Sequence, residues 1–174
     1  MSEPSQAEWV AGAVARFEAP LLRFTTRLLG DADAARDVVQ DAFLRLCTQS
    51  RAEVDGHLAE WLYTVCRNRA LDVLRKESRM NETPLMTDAA PDGARSLEPE
   101  PSAALQSREA AGHLRLALGT LPPRTQEVLR LRFQEGLSYK EIAGVMQLTV
   151  SHVGVLIHNA LKTLRTRIDA PRLA

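Results

Sequence analysis

Arg67, Asn68, Arg75, Lys76 and Arg79 fall on the exposed side of one helical pattern, WLYTVCRNRALDVLRKESR, with Trp61 and Tyr63 near its start. Cationic groups in such a row neutralise phosphates, and aromatic rings beside them support unstacked bases, the combination single-strand binders use. Taken alone, the same row is equally a solvated helix face. Asp72, lying among these bases, suits a local ion-pair partner that orients arginines better than a catalytic acid.

A second group stands near the C-terminus. YKEIAGVMQLTVSHVGVLIHNAL, from Tyr139 to Leu161, has the spacing of a helix-turn-helix. Ala143 supplies the small residue where the helices cross, and Ile142, Met146, Leu148, Val153 and Leu156 fall where they must pack. Gln147 takes the turn position where glycine is usual, which calls for a left-handed backbone there. Ser138 and Glu141 form a capping box for the first helix, and Thr149 or Ser151 caps the second. The second helix exposes Thr149, Ser151, His152, Val155 and His158, which can contact base edges or a thymine methyl group. They lack the arginine that reads guanine bidentately. LPPRTQEVLRLRF upstream, with Arg124, and Lys162, Arg165 and Arg167 downstream supply phosphate-facing charge. Ordinary αα-hairpins share the apolar spacing, so the flanking charge is what favours DNA.

The third group is DVVQDAFLRL, whose exposed edge shows Asp37, Gln40, Asp41, Leu44 and Arg45. An exposed leucine between carboxylates and a glutamine suits a helix-on-helix interface with a basic partner. Catalysis has almost nothing behind it. There is no Gly-rich phosphate loop and no metal-spaced cluster, and His57, His113, His152 and His158 are scattered. Cys47 and Cys66 lie far apart inside helical patterns, so both are expected to be buried small hydrophobes. No catalytic residue, metal or cofactor is expected.

Charge supports this division. The chain has 174 residues and a formal net charge of zero, which alone argues against a nucleic-acid binder. Yet ten bases stand against five acids from residue 106 onward, and five against two between Tyr63 and Met80. Acids outnumber bases by four in Met1 to Leu62, and five to one in residues 81 to 105. The zero is a cancellation between two basic patches and two acidic stretches.

The elements that must carry these groups are helical throughout. Ala, Leu and Arg dominate, without alternating β-branched runs, so the class is all-α. One helix is expected from about Gln6 to Leu29, burying Trp9, Ala13, Phe17, Leu21, Phe24 and Leu28, with Pro20 kinking or splitting it. Gly30 is its C-cap, and Asp31 or Asp33 opens the next helix, which buries Ala35, Val38, Val39, Ala42, Phe43 and Leu46. A loop follows from Thr48 to Gly56, and a third helix from about His57 to Arg79. Residues 1–80 thus form a bundle and residues 106–174 a helix-turn-helix domain. The Pro-rich, acidic stretch within 81–105 is expected to be a flexible linker between the two small helical domains. Helix is expected to resume from about Ala103 to Leu118, ahead of Pro122 and Pro123. Neither a signal peptide nor a membrane span is expected, so the chain should be cytoplasmic and not inserted in a membrane.

In their order, RDVVQDAFLRL, WLYTVCRNRALDVLRK, LPPRTQEVLRLRFQEGLSYKEIA and HNALKTLR resemble segments of the extracytoplasmic-function sigma factors of bacterial RNA polymerase. The resemblance covers nearly everything but the linker and the extreme N-terminus. It implies that Asp37, Gln40, Asp41 and Leu44 bind the coiled coil of the largest subunit of core RNA polymerase. It implies that promoter DNA is melted at the minus-ten element. Flipped bases would be held in the loop Thr48 to Gly56 and on the helix with Trp61, Tyr63, Arg67, Asn68, Arg69, Arg75 and Lys76. The minus-thirty-five element would meet Arg124, Thr149, Ser151, His152, Val155, His158, Lys162 and Arg165. The linker would thread the polymerase's RNA path, and an anti-sigma factor would hold the protein inactive. The chain departs from the family where several arginines usually follow the start of the recognition helix, for here stand Leu156, Asn159 and Leu161. Two other functions remain: a helix-turn-helix regulator with an N-terminal sensor bundle, which would use the same C-terminal half, and an adaptor that binds only protein, which the missing arginines would suit.

Overall fold

A computed structural model describes residues 5–81 and 111–168, all of whose regular elements are helices. The chain divides into two compact units, Met1–Asp92 and Gly93–Ala174. In the first, α1 spans Gln6–Leu29, α2 Ala32–Cys47, a one-turn α3 Arg51–Val54 and α4 Leu58–Asn81. Ser5 and Glu8 close a capping box at the start of α1, and α1 continues without a break through Pro20. A proline there costs one backbone hydrogen bond, but Phe17, Leu21 and Phe24 on either side are buried and anchor the helix across the gap. Gly30 ends it in the left-handed conformation, φ 71°, its N–H donating to Thr26 O at 2.8 Å. Asp31 then caps α2 by accepting from the N–H groups of Asp33 and Ala34.

Five of the six α1 positions expected in the core are buried, with Leu28 half-buried, and all six of α2 are buried. Against them α4 packs Leu62, Tyr63, Cys66 and Ala70. Phe24 meets the Tyr63 ring edge-on, centroids 5.1 Å apart. The stretch expected as a loop, Thr48 to Gly56, is instead α3 followed by a 3-10 turn over Asp55–His57. It is pinned at three points: Val54 is buried, Trp9 Nε1 donates to Asp55 Oδ1 at 2.9 Å, and Gln6 Nε2 donates to Gln49 O at 3.1 Å. Two hydrogen bonds from α1 and a buried valine thus hold what composition alone reads as irregular.

The second unit has helix over residues 111–119 (α5), then α6 Pro123–Phe133, α7 Tyr139–Met146 and α8 Val150–Ile168. Pro122 and Pro123 open α6, where a missing N–H costs nothing. The core gathers Leu121, Val128, Leu129, Leu131, Leu137, Ile142, Val145, Met146, Val153, Ile157, Ala160 and Leu164. The linker expected over 81–105 lies outside the described residues, save Asn81, the last residue of α4.

Gln147 adopts φ 53° and ψ 52°, the left-handed turn its position demanded. A residue with a Cβ pays about 1 kcal/mol or more for this conformation, whereas glycine does not. Gln147→Gly should therefore stabilise the C-terminal unit by up to about 1 kcal/mol. A thermal unfolding midpoint at or below that of the parent chain would contradict this account of the turn.

Candidate nucleic-acid interface

On α4, side chains repeat at about 100° per residue, so Trp61, Asn68, Asp72, Arg75 and Arg79 share one stripe. Trp61 is half-buried at its upper end, and the other four are exposed. Asp72 Oδ1 accepts from Arg75 Nη1 at 2.9 Å, which holds that guanidinium on the stripe. Lys76 is exposed beside it, and Arg67 and Arg69 sit half-buried on opposite flanks. Tyr63 does not belong to this surface. It stands about 200° round the helix from Trp61 and is only 2% exposed, its ring packed on Phe24. Its expected part in supporting bases is corrected to a part in the core; two aromatics two residues apart on a helix cannot share a face.

Asp37, Gln40 and Leu44 line the exposed edge of α2, and Leu44 is 62% exposed. Asp41 is less open than its neighbours, with 37% of its side chain exposed. Its Oδ2, shielded from solvent, lies 3.1 Å from Arg45 Nη2 and 3.7 Å from Arg69 Nε. Arg69 is thus turned toward α2, a cross-helix pairing that no local spacing announces.

The two cysteines differ. Cys66 is buried, and burial pushes its thiol up to about 12, with the Thr25 hydroxyl working the other way and the Asp41 charge adding to the rise. Cys47 is exposed at the end of α2, contrary to the expectation of burial, because the apolar stripe of α2 ends one residue earlier at Leu46.

In the second unit, Ser138 accepts from Glu141 N at 3.2 Å while Glu141 Oε2 accepts from Ser138 N at 2.7 Å, closing the expected capping box on α7. Thr149 Oγ1 accepts from His152 N at 3.1 Å and so caps α8. Ala143 and Met146 are buried at the crossing, and the Tyr139 ring lies against Gly154, where an added Cβ would sit 3.7 Å away. Arg132 stacks its guanidinium 5.4 Å from that ring and donates to Leu137 O at 3.0 Å, bracing the approach to α7. Val153, Ile157, Ala160 and Leu164 form the buried stripe of α8; Leu156, expected in the core, is half-buried on its flank, and Leu148 likewise. On the opposite side Ser151, Val155, His158, Lys162 and Arg165 are exposed, His152 is exposed on a flank, and Thr149 is exposed at the cap. Arg124 is exposed too, but its Nη2 donates to Met146 O at 3.2 Å, so it ties α6 to the end of α7 as well. Lys140, missed in the sequence, is exposed in the first turn of α7. Asn68, Arg75, Lys76 and Arg79 are exposed on α4 as expected, but Arg67, expected with them, is half-buried on a flank; the pairings that span elements, Asp41 with Arg69 and Arg124 with Met146, have no signal in spacing.

Residues 13–80 match the family described as Sigma-70 region 2, and residues 112–164 the family described as Sigma-70, region 4. The chain is 32% identical over 155 residues to the ECF RNA polymerase sigma factor SigL of Mycobacterium tuberculosis, covering 87% of this chain and 84% of that one. The chain belongs to the extracytoplasmic-function sigma factors. Sigma factors of this kind direct RNA polymerase to promoters, and this sigma factor is no exception in kind. It is also 29% identical over 143 residues to SigE of Mycolicibacterium smegmatis, spanning 82% of this chain but only 55% of that longer relative. Its fold is that of the sigma factor RpoE from Bartonella quintana, solved in complex with the anti-sigma factor NepR. There the TM-score is 0.58 at 21% identity, covering 93% of this sigma factor and 98% of RpoE. Among the described residues there is no group of three or more His, Cys, Asp or Glu side chains placed to hold a metal ion. No described helix is long and apolar enough to cross a membrane.

Proposed function

We propose that this sigma factor joins core RNA polymerase in the cytoplasm, melts the minus-ten element of its promoters on α4 and reads the minus-thirty-five element with α8, with no catalysis of its own. The observation that carries this is the pairing of two separate polyanion-facing surfaces, each on a unit with its own core. The Trp61–Arg79 stripe is built for unstacked bases, and the capped α7–α8 pair is built for a major groove. Each surface alone is modest. Held together by polymerase they act as one bivalent ligand, so neither needs high affinity by itself.

The exposed edge of α2, Asp37, Gln40, Asp41 and Leu44, is assigned to the basic coiled coil of the polymerase's largest subunit. On α4, Asn68, Arg75 and Lys76 face the captured strand with Trp61 at its end, and Arg67 and Arg69 guard the flanks. Capture of flipped bases offsets the few kcal/mol that opening a duplex step costs. In the second unit, Arg124, Lys162 and Arg165 meet phosphates while Thr149, Ser151, His152, Val155 and His158 meet base edges. Regulation by an anti-sigma protein is proposed from the company RpoE keeps in its solved complex.

Adding the purified chain to core polymerase and sequencing transcripts from a promoter library tests the assignment. Discrete start sites behind a shared pair of elements are the expected result. Tight binding to duplex DNA by the chain alone, with no association with polymerase, would favour a sensor-type regulator instead. Asn68, exposed at the centre of the α4 stripe, gives a sharper prediction. Asn68→Ala is expected to slow promoter opening several-fold more than it weakens initial docking, as read by base-analogue fluorescence against filter binding. Equal losses at both steps would remove Asn68 from strand capture.

A further inference from the structure

The DNA-facing side of α8 carries no cation between Thr149 and Leu161 and has an exposed valine at its centre. We propose that this sigma factor selects its minus-thirty-five element by thymine 5-methyl groups, with Val155 as the residue that separates A·T from G·C pairs. The proposal rests on α8 entering the major groove, and deepens it by naming the bases.

Val155 is 54% exposed. Ser151 lies about one turn before it and Lys162 about two turns after it on the same face, directly opposite the buried stripe of Val153, Ile157, Ala160 and Leu164. A valine at the centre of a groove-facing surface can gain free energy from only one feature of a base-pair edge. That feature is the thymine methyl, the sole apolar group displayed in the major groove. The neighbours do not compete for the choice. Ser151 can donate to or accept from any edge, and His152 and His158 can donate to N7, which adenine and guanine both carry. The bidentate pairing to guanine O6 and N7 requires Arg or Lys, and the first on this helix are Lys162 and Arg165. Both lie far beyond the N-terminal part of the helix that reaches base edges. Before the motif, Arg132 has its guanidinium over the Tyr139 ring and donates to Leu137 O, and Arg124 has its Nη2 on Met146 O. Lys140, Lys162 and Arg165 therefore set position through phosphates, without sequence content.

The test uses holoenzyme, assembled from core polymerase and the full chain, on a promoter recovered from the library. Each thymine of the minus-thirty-five element is replaced in turn by deoxyuridine, which removes only the 5-methyl group. At least one replacement should weaken holoenzyme binding about fourfold, the partition of one buried methyl group. In Val155→Ala holoenzyme the same replacement should have almost no effect, because the apolar partner is gone. Val155 is exposed, so folding is not at stake, and Lys162→Ala serves as a probe of groove docking by itself. If no deoxyuridine matters while Lys162→Ala still weakens binding, α8 docks but does not read methyl groups, and this proposal is overturned. If scrambling the whole element, Lys162→Ala and deoxyuridine are all without effect, the assignment of α8 to the groove fails and takes this one with it.

Discussion

Leu44→Asp is expected to lower the affinity of this sigma factor for core RNA polymerase at least thirtyfold while leaving its thermal unfolding midpoint unchanged. Leu44 is the most exposed large apolar side chain of α2, flanked on its face by Asp37, Gln40 and Asp41. An apolar anchor ringed by polar groups is the arrangement of an interface hot spot, where truncation costs about 2 kcal/mol or more. A carboxylate at its centre adds desolvation cost to the loss. Leu44 makes a cleaner probe than Asp41. Reversing the charge at Asp41 would also set a cation beside Arg45 and Arg69, disturbing α4 as well as the interface. Binding of labelled variant to polymerase measures the effect. Retention of parental affinity would remove the α2 edge from the polymerase interface.

The second large effect concerns stability. Tyr63→Ala should destabilise the N-terminal unit by about 3 to 5 kcal/mol, the usual cost of deleting a large buried ring. Tyr63 is buried between α1 and α4 and meets Phe24 edge-on. Trp61→Ala, by contrast, removes a half-buried ring from the exposed stripe and should cost much less stability. Chemical denaturation of both variants compares them directly. A Tyr63→Ala chain as stable as its parent, yet defective in promoter opening, would return Tyr63 to the DNA surface.

The contrast between these two aromatics shows what could be seen in the sequence. Helical period marks the buried stripes of α1 and α2, the Ser138 to Glu141 spacing the capping box, and the helix-turn-helix spacing the left-handed turn at Gln147, because each depends on residues close in sequence. Tyr63 lies near Trp61 in sequence, but the phase of the helix puts it on the buried side. The order found between Thr48 and Gly56 was invisible for another reason. It depends on Trp9, more than forty residues away, reaching Asp55. Arg69 with Asp41 and Arg124 with Met146 are of the same sort: pairings between elements whose mutual placement is decided by the core, not by local spacing. In α8 Val153 is buried as its spacing implies, but the next core position is Ile157 rather than Leu156, one residue or about 100° away. A helix that is apolar at both neighbours gives period analysis little to choose between.

The helix-turn-helix also has a consequence for how such a protein diversifies. Everything that sets the angle of α8 lies on one side of it or at its start: the Thr149 cap, the Tyr139 ring against Gly154, and the stripe from Val153 to Leu164. Ser151, Val155, His158 and Lys162 on the other side are exposed and carry little of the fold. Substitutions there escape the stability threshold that purges most core changes. A duplicated copy of this gene could therefore drift to new promoters one side chain at a time, without an unfolded intermediate on the way.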